Sequence, residues 1–456
     1  FENEPMAQGG CIWDWVDQSF REVDKDGNWY WTYGGDYGPK DVPSFGNFCC
    51  NGLVNAVREP HPHLLEVKKI YQNIKSTLVD KKNLTIRVKN WFDFSDLNEY
   101  LLHWSVAGDD GTIVAEGSKE VTCAPHAVVD ITLGAVKIPK TLREAYLNLS
   151  WTRVKATPLV TSDWEVAYDQ FVLPVSKNSW SGKPAKAGNT TFVVDEATGA
   201  LKSLCLDGEE LLASPITLSL FRPATDNDNR DQNGAKLWRQ AGLDHLTQKV
   251  VSLKEGKNKT TVKADILNAE GKKIGNAEFI YALNRDGSMK VQTTFEPDTS
   301  LVKSMARLGI TFEMKDTYEN VTYLGRGEHE TYTDRNQSGK IGVYKTTPER
   351  MFHYYVVPQS TGNRTDVRWM QLTDEHGKGC WIEANSLFQF STFPFSDVIL
   401  EKARHINELK RDGKITIHLD AEQAGVGTAT CGPGVLPSYL VPLTKQTFDF
   451  TIYPVK

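Results

Sequence analysis

The 456-residue chain carries 52 Lys and Arg against 58 Asp and Glu, a formal net charge of −6, and its basic residues are scattered along the sequence. Scattered positive charge on an acidic chain argues against nucleic acid or an anionic membrane as a partner. No apolar run reaches the roughly 18 residues that a spanning helix needs, so no membrane segment is predicted. The length predicts about three domains, each large enough to bury its own core.

The N-terminal residues have the pattern of the end of an α/β domain. Residues 9–16, "GGCIWDWV", form a nearly continuous apolar run, which predicts a strand buried on both faces of a parallel sheet. A long Gly-rich and aromatic loop follows, then a second apolar stretch at 50–54 and a helix that begins at Pro62 and is predicted to end near Lys75. Two strands cannot close a barrel. We therefore expect the rest of that sheet, and any signal peptide, to lie upstream of Phe1.

The apolar period changes to two from about residue 76. Alternation at 84–89 and 100–106, with a turn at 109–111, predicts an antiparallel sandwich that extends to about Pro174. The segment 174–189, "PVSKNSWSGKPAKAGN", has the composition of an interdomain linker. The remaining residues again predict strands, with one helix at 234–242, "GAKLWRQAG".

The cysteines are odd in number, and two are adjacent. This pattern indicates neither a disulfide framework nor a zinc site, and it favours small buried apolar residues for most of them. They are Cys11, Cys49, Cys50, Cys123, Cys205, Cys380 and Cys431.

Several motifs, in a consistent order, resemble the C-terminal half of glycoside hydrolase family 2 β-galactosidases. They are "GGCIWDWVDQSF" at 9–20, "YGGDYGPKD" at 33–41, "NFCCNGLV" at 47–54, "REPHPHLLEVKKIYQ" at 58–72, "NEYLLHWSV" at 98–106, "RPATDNDN" at 222–229, "LGRGEHETYTDR" at 324–335 and "PQSTGNRTDVRW" at 358–369. The resemblance implies a multidomain, mainly β chain. Residues 1–75 would be the last strands and helix of a (β/α)8 catalytic barrel, 76–178 an immunoglobulin-like β-sandwich, and 185–456 a large antiparallel β-supersandwich of the β-galactosidase small-chain type.

The resemblance also implies an activity, the retaining hydrolysis of terminal β-D-galactosides. That chemistry needs an acid/base carboxyl and a nucleophilic carboxylate, both glutamates in this family. Neither glutamate motif occurs in the chain, and "FENEP" around Glu2 and Glu4 matches neither. We therefore expect both catalytic glutamates upstream of Phe1 and a chain that is inert alone.

Three residues are predicted to lie at the sugar. The resemblance makes Trp13 an apolar wall against the galactose ring, with core packing as the alternative. Phe48, through its carbonyl, and Asn51, through its side-chain oxygen, match part of a Na⁺ site, although Asn51 also suits a turn before Gly52. The family's Mg²⁺ ligands are expected upstream.

Other polar residues in the same motifs have structural interpretations. Asp14 and Asp17 would cap loop amides, and alternation would place Trp15 on the face of Trp13. His61 and His63 would be a cap and a packed ring.

Two features of the terminal region also bear on function. The acidic group Asp226, Asp228 and Asp231 is interpreted as a polar loop, because it lacks the Gly and Glu spacing of a calcium loop. Cys431, in "GVGTATCGPG" at 425–434, stands where some family members place a Trp at the lip of the site, so an aglycone platform of that kind is in doubt.

Two other functions compete. The β-sandwiches of a non-enzymatic chain would serve as a carbohydrate-binding or assembly module, and a relative with the same chemistry would cleave β-glucuronides or β-mannosides. The long terminal sandwich favours β-galactosides. The expected partners are these sugars and the missing N-terminal half, homo-oligomers remain open, and cytoplasmic and periplasmic locations are not distinguished.

Overall fold

The computed structural model describes residues 4–184 and 189–455. Phe1, Glu2 and residues 185–188 of the predicted linker lie outside these ranges. The fold is mainly β, with a short barrel fragment followed by antiparallel sheets, which confirms the predicted fold class. Among the described residues, none of the helices combines the length and apolar character needed to cross a bilayer.

The N-terminal region is only partly regular. Its elements are strands β1 (Phe20–Val23) and β2 (Trp29–Thr32), a 3₁₀ turn (Gly46–Cys49) and helix α1 (Pro62–Ile70). The predicted long loop therefore contains a hairpin, because β1 and β2 pair antiparallel. The helix ends at Ile70 rather than near Lys75, since Tyr71 caps it and Ile74 starts the next strand.

The prediction of a strand buried on both faces at 9–16 is wrong. Residues 9–13 are exposed, and only one parallel bridge, Val16 to Val54, is regular. Backbone bonds from Asp14 to Asn51 and from Val54 to Trp15 join the two segments along one edge. No other element of the described chain covers the faces of 9–16, so the side chains of Ile12, Trp13 and Trp15 stay exposed.

The middle region is a two-sheet sandwich. Its strands are β3 (Ile74–Asp80), β4 (Thr85–Asn90), β5 (Tyr100–Gly108), β6 (Ile113–Glu120), β7 (Val128–Thr132), β8 (Glu144–Arg153) and β9 (Glu165–Pro174). The sheet β3-β4-β7 packs on the sheet β6-β5-β8-β9. The alternating residues Ile86 and Val88 of the first sheet meet Leu102 and Trp151 of the second in one buried core.

The terminal region is organised around one large curled sheet. Its elements are β10 (Thr190–Val194), β11 (Leu201–Leu206), β12 (Glu209–Glu210), β13 (Thr217–Ser219), α2 (Asp226–Arg230), α3 (Ala235–Gln240), β14 (Thr247–Gly256), β15 (Lys259–Leu267), β16 (Lys273–Leu283), β17 (Met289–Pro297), β18 (Arg307–Lys315), β19 (Asn320–Gly327), β20 (Lys340–Thr346), α4 (Pro348–Met351), β21 (Arg364–Thr373), β22 (Gly379–Phe393), α5 (Asp397–Lys402), β23 (Lys414–Gln423) and β24 (Gln446–Val455). Helix α3 confirms the predicted helix at 234–242.

The order β13-β18-β23-β22-β24-β17-β16-β15-β14 runs through this sheet. The long strand β22 pairs with β24 over 379–384 and with β23 over 389–393, and β21 pairs with both parts, which lets the sheet curl over its own core. Gly271 and Gly287 adopt positive φ in the turns before β16 and β17, where a side chain would be strained.

The described part of the predicted linker is packed rather than free. Trp180 is buried, and the Arg143 guanidinium stacks over its ring at 4.3 Å. Lys183 pairs with Glu383 of the terminal sandwich at 2.5 Å. Trp180 joins a buried cluster that also contains Tyr146, Leu324, Ile341, Trp369, Trp381 and Tyr453. The middle sandwich packs against the terminal sandwich through this cluster.

Replacing Trp381 with Ala tests this junction. Trp381 is 1% exposed and stacks on Trp369 with ring centroids 4.0 Å apart. Emptying its site should lower the free energy of unfolding by about 3–5 kcal/mol, read from the midpoint of urea unfolding. Phe94, 96% exposed, is the control, and its change to Ala should stay within about 0.5 kcal/mol. Equal effects of the two variants would contradict the assignment.

Candidate functional site

A cleft of about 630 Å³ lies between the barrel fragment and the terminal sandwich. The barrel fragment contributes Ile12, Trp13, Asp17, Phe45, Asn47, Phe48, Cys50, Asn51, Gly52, Leu53, His61 and His63. The sandwich contributes residues from helix α2 and from the segments 330–335, 355–360 and 426–431. A cleft of this size is in the range of small-molecule sites.

All three residues predicted to lie at the sugar line this cleft. Trp13 is 80% exposed and presents its indole to the open space, so it is not packed in a core. Phe48 and the more exposed Phe45 extend this apolar surface. Trp15 does not line the cleft, because residues 9–15 do not form the regular strand that alternation would require.

Asn51 and Phe48 contact each other, but through a different Asn51 atom from the one predicted to bind Na⁺. The Asn51 side-chain nitrogen donates to the Phe48 carbonyl at 2.5 Å. Turning the amide by half a turn would bring its oxygen to the same place. Within 4–184 and 189–455, no three His, Cys, Asp or Glu side chains are grouped so that they could hold a metal ion.

A buried chain of polar side chains supports the cleft from below. Asp17 accepts from the Gly52 amide at 2.7 Å, and its other oxygen lies 2.7 Å from His61 Nε2. His61 Nδ1 lies 2.8 Å from His353 Nε2, which belongs to the terminal sandwich. Asp17 thus caps a loop amide as expected. His61 makes no side-chain cap and instead links the two domains.

His63 holds the same loop from its other side. Its Nε2 lies 2.8 Å from the Gly52 carbonyl oxygen, and its ring stacks on His61. Burial lowers the pKa of His63 to about 4, and Arg335 adds to that effect. A neutral ring can donate to the carbonyl, so both backbone groups of Gly52 have buried partners.

The floor of the cleft on the sandwich side is an internally paired cluster. Arg335 forms an ion pair with Glu330, which also accepts from the Tyr355 hydroxyl and the Gly362 amide at 2.7 Å each. Burial by itself would raise the pKa of Glu330, but Arg335 and these donors outweigh it and hold that pKa at about 2. Glu330 is therefore a fixed carboxylate with its acceptor positions occupied.

Asp226 and Asp228 lie on helix α2 and Asp231 follows its end, so the prediction of a polar loop is wrong. Thr225 and Asp228 make a reciprocal capping box, and Asp228 is buried in a bidentate pair with Arg222. Asp226 faces the cleft. It accepts from Asn47 of the barrel fragment at 2.7 Å, and burial raises its pKa.

The segment 425–434 borders the cleft on the sandwich side. Asp334 accepts from the Val426 and Gly427 amides, and Asp231 accepts from the Val435 amide at 2.6 Å. Its Thr430 hydroxyl donates to Asn227 at 2.7 Å. Cys431 is exposed and lines the cleft on this anchored segment.

The cysteines are free thiols, and the prediction that most are buried is wrong. Cys123 and Cys380 are buried, whereas Cys11 and Cys431 are exposed and the other three are half-buried. Cys49 and Cys50 lie side by side, and Cys50 lines the cleft. Burial raises the pKa of the Cys50 thiol well above its usual value.

Several cleft residues were not predicted to be functional. Glu330, Arg335, Tyr355 and Asp226 lie in or beside motifs that were interpreted only as sandwich signatures. Only the composition of these segments could have indicated a site. Arg, Glu, Tyr and Asp cluster in them, and the segments lack the alternation of a strand.

The buried histidines predict a pH dependence of stability. Burial lowers the pKa of His353 to about 4, from 6.5. Between these values the unfolded chain binds a proton that the folded chain does not, so stability should fall as the pH drops from 6.5 to 4. His353→Gln keeps a hydrogen-bonding partner for His61 and should flatten this slope by about 1.4 kcal/mol per pH unit. Urea unfolding at a series of pH values between 7 and 4 measures how the free energy of unfolding changes with pH. The exposed His376→Gln is the control, and an unchanged slope in H353Q would count against the buried neutral ring.

Comparison with known proteins gives three family matches in chain order. The family described as "Beta galactosidase small chain" matches 186–453, "Beta-galactosidase, domain 4" matches 86–174, and "Glycosyl hydrolases family 2, TIM barrel domain" matches 1–76. Among solved structures, an exo-chitosanase of Amycolatopsis orientalis aligns with 65% of this chain and 29% of its own, at a TM-score of 0.20 and 12% identity, a likeness too low to interpret.

Two similar relatives are named β-galactosidase. The protein of Priestia megaterium is 32% identical over 449 residues, which cover 94% of this chain and 42% of that protein. The protein of Aeromonas hydrophila is 31% identical and covers 94% of this chain and 43% of its own length. The chain thus spans about half the length of the curated relatives it matches. The chain belongs to the glycoside hydrolase family 2 β-galactosidases.

Proposed function

We propose that this chain supplies the sugar-holding side of a retaining exo-β-galactosidase, and that hydrolysis requires catalytic glutamates from a further segment. The observation that carries the proposal is the convergence of Trp13, Phe48 and Asn51 in one cleft. Relatives named β-galactosidase favour galactosides over glucuronides and mannosides.

The surface of the cleft suits a sugar ring. A pyranose has an apolar C–H face and polar hydroxyls, so an exposed indole beside polar side chains matches both. Trp13 offers the indole, and Asn47, Asp226 and Gln359 offer a connected polar group across the cleft. Cys431 in place of an aromatic lip residue favours an open acceptor side.

The carboxylates of the described cleft support inertness of the chain alone. Asp17 is engaged by Gly52 and His61, and Glu330 is paired with Arg335. Asp226 is held by Asn47 and Gln359. A retaining hydrolase needs an acid/base carboxyl and a nucleophilic carboxylate roughly 5–5.5 Å apart, and these three residues instead hold the loops and side chains around the cleft.

A sodium ion is expected beside the sugar, held in part by this chain. Phe48 would offer its carbonyl and Asn51 its side-chain oxygen after rotation of the amide. Neutral oxygens suit a weakly charged hard cation. Bound there, the ion would orient a sugar hydroxyl. The Mg²⁺ expected in the intact enzyme has its ligands outside this set of residues.

Sugar binding by the chain tests the role of Trp13. Methyl β-D-galactoside should bind weakly, as seen by perturbation of the tryptophan indole N–H signals in NMR titrations. Trp13→Ala should weaken binding at least about tenfold, or about 1.4 kcal/mol, because the apolar wall is lost. Trp15→Ala removes another exposed indole that does not line the cleft and should leave the affinity unchanged. Equal losses in both variants, or none in W13A, would contradict the assignment.

Complementation tests the division of labour. The chain alone should not release nitrophenol from its β-galactoside. Adding the part of the Priestia megaterium protein that lies outside the matched region should restore release, because the missing carboxyl groups are then supplied. Nitrophenyl β-glucuronide and β-mannoside serve as the specificity controls. Hydrolysis by the chain alone at a rate near that of the whole Priestia enzyme would refute the inertness.

A further inference from the structure

The proposed function leaves two adjacent thiols unused, Cys50 in the wall of the cleft and Cys49 beside it. Cys49 and Cys50 are half-buried, and their sulfur atoms lie 3.6 Å apart. Cys50 lines the cleft between Phe48 and Asn51, which are predicted to lie at the sugar. Two sulfurs this close can bind one ligand together, and the cleft reaches the pair at Cys50.

The backbone that carries this pair is held in place on both sides. The Cys50 amide donates to the Asn47 carbonyl, and the Gln18 amide donates to the Cys49 carbonyl, each at 2.9 Å. Beyond the pair, the Asp14 amide donates to the Asn51 carbonyl at 2.9 Å. The backbone of both cysteines is therefore fixed before any ligand arrives, which lowers the entropic cost of chelation.

The separation of the sulfurs fits one bridging atom. Sulfur lies about 2.3 Å from a tetrahedral soft metal such as zinc, which places two such sulfurs roughly 3.8 Å apart. The observed 3.6 Å is close to that span. Thiol ligands select soft, thiophilic centres over hard ones.

We propose that Cys49 and Cys50 form a dithiol site for a trivalent arsenical or a comparably thiophilic centre. The second part of the proposal is that a group bound to this dithiol site blocks the adjacent sugar site. This second part rests on the proposed function. The bound group bridges the sulfurs beside Asn51 and projects from Cys50 into the cleft.

The reaction with an organic arsenical is a ligand exchange without electron transfer. An aryl arsenic(III) dihydroxide forms two As–S bonds while two As–O bonds and two S–H bonds break. The two thiol protons leave with the two hydroxides as two water molecules. The arsenic stays trivalent, so neither an oxidant nor a reductant is needed.

Mass spectrometry of the full chain with phenylarsine oxide tests the site. An excess of a monothiol removes adducts that are held by one sulfur, so one adduct per chain, held by both sulfurs, should survive this treatment. The dithiol 2,3-dimercaptopropanol should then release that adduct. Cys49→Ala and Cys50→Ala should each abolish the surviving adduct. Cys11→Ala and Cys431→Ala, which remove exposed thiols, should retain it. Cys50→Ser, checked by circular dichroism, replaces C50A if that variant misfolds.

A surviving adduct in C49A, or its loss in C431A, would overturn the dithiol assignment. The blocking of the sugar site is tested separately, by titrating the arsenical adduct of the chain with methyl β-D-galactoside. Binding should weaken at least about tenfold and recover when the dithiol is added. An adduct that forms on both cysteines but leaves sugar binding unchanged would overturn the blocking and locate the sugar elsewhere, without affecting the dithiol site.

Discussion

The burial of one carboxylate shapes the site. Asp17 is 4% exposed, and a buried carboxylate is stable only when it is paired and hydrogen-bonded. Gly52 supplies one donor and His61 the other, and His61 in turn contacts His353 of the terminal sandwich. Because Asp17 needs both partners, the loop that carries Asn51 is linked through His61 to His353. These two histidines are 292 residues apart in the chain.

This coupling explains how the cleft combines a rigid floor with an exposed apolar wall. The polar groups below the surface are satisfied by one another, as the Glu330–Arg335 pair and both backbone groups of Gly52 illustrate. Their geometry does not depend on a ligand. Trp13 can then remain exposed, because the framework around it is held by hydrogen bonds rather than by burial of the indole.

Much of the fold could be predicted because it depends on local periodicity. Alternation at 84–89, which includes Ile86 and Val88, predicted the strand β4. Periodicity failed where distant packing decides the outcome. Ile74 continues the helical spacing of α1, yet it is fully buried in the sandwich core, so the chain leaves the helix before it. Likewise, the apolar run at 9–16 resembles a buried strand, but the side chains of a strand are buried only when other elements cover both of its faces.

The same distinction applies to the site. Trp13, Phe48 and Asn51 could be predicted because each lies in a short recognisable motif. Glu330, Arg335 and His353 could not, since their role arises from a tertiary contact between separate domains and leaves no local spacing. The acidic residues at 226–231 were misinterpreted as a loop because the Thr225 capping box and the Arg222 partner, which stabilise so short a helix, were not recognised beforehand.

The anchoring of the 425–434 segment has an evolutionary consequence. Its backbone is held by Asp231, Asp334 and Asn227, which belong to the sandwich, while the Cys431 side chain is exposed. Substitutions at this lip can therefore accumulate without loosening the segment or the opposite wall. Under the proposed function, a change of the Cys431 side chain would alter the leaving-group side of the cleft and leave Trp13 unchanged, so the lip is a natural target for directed evolution.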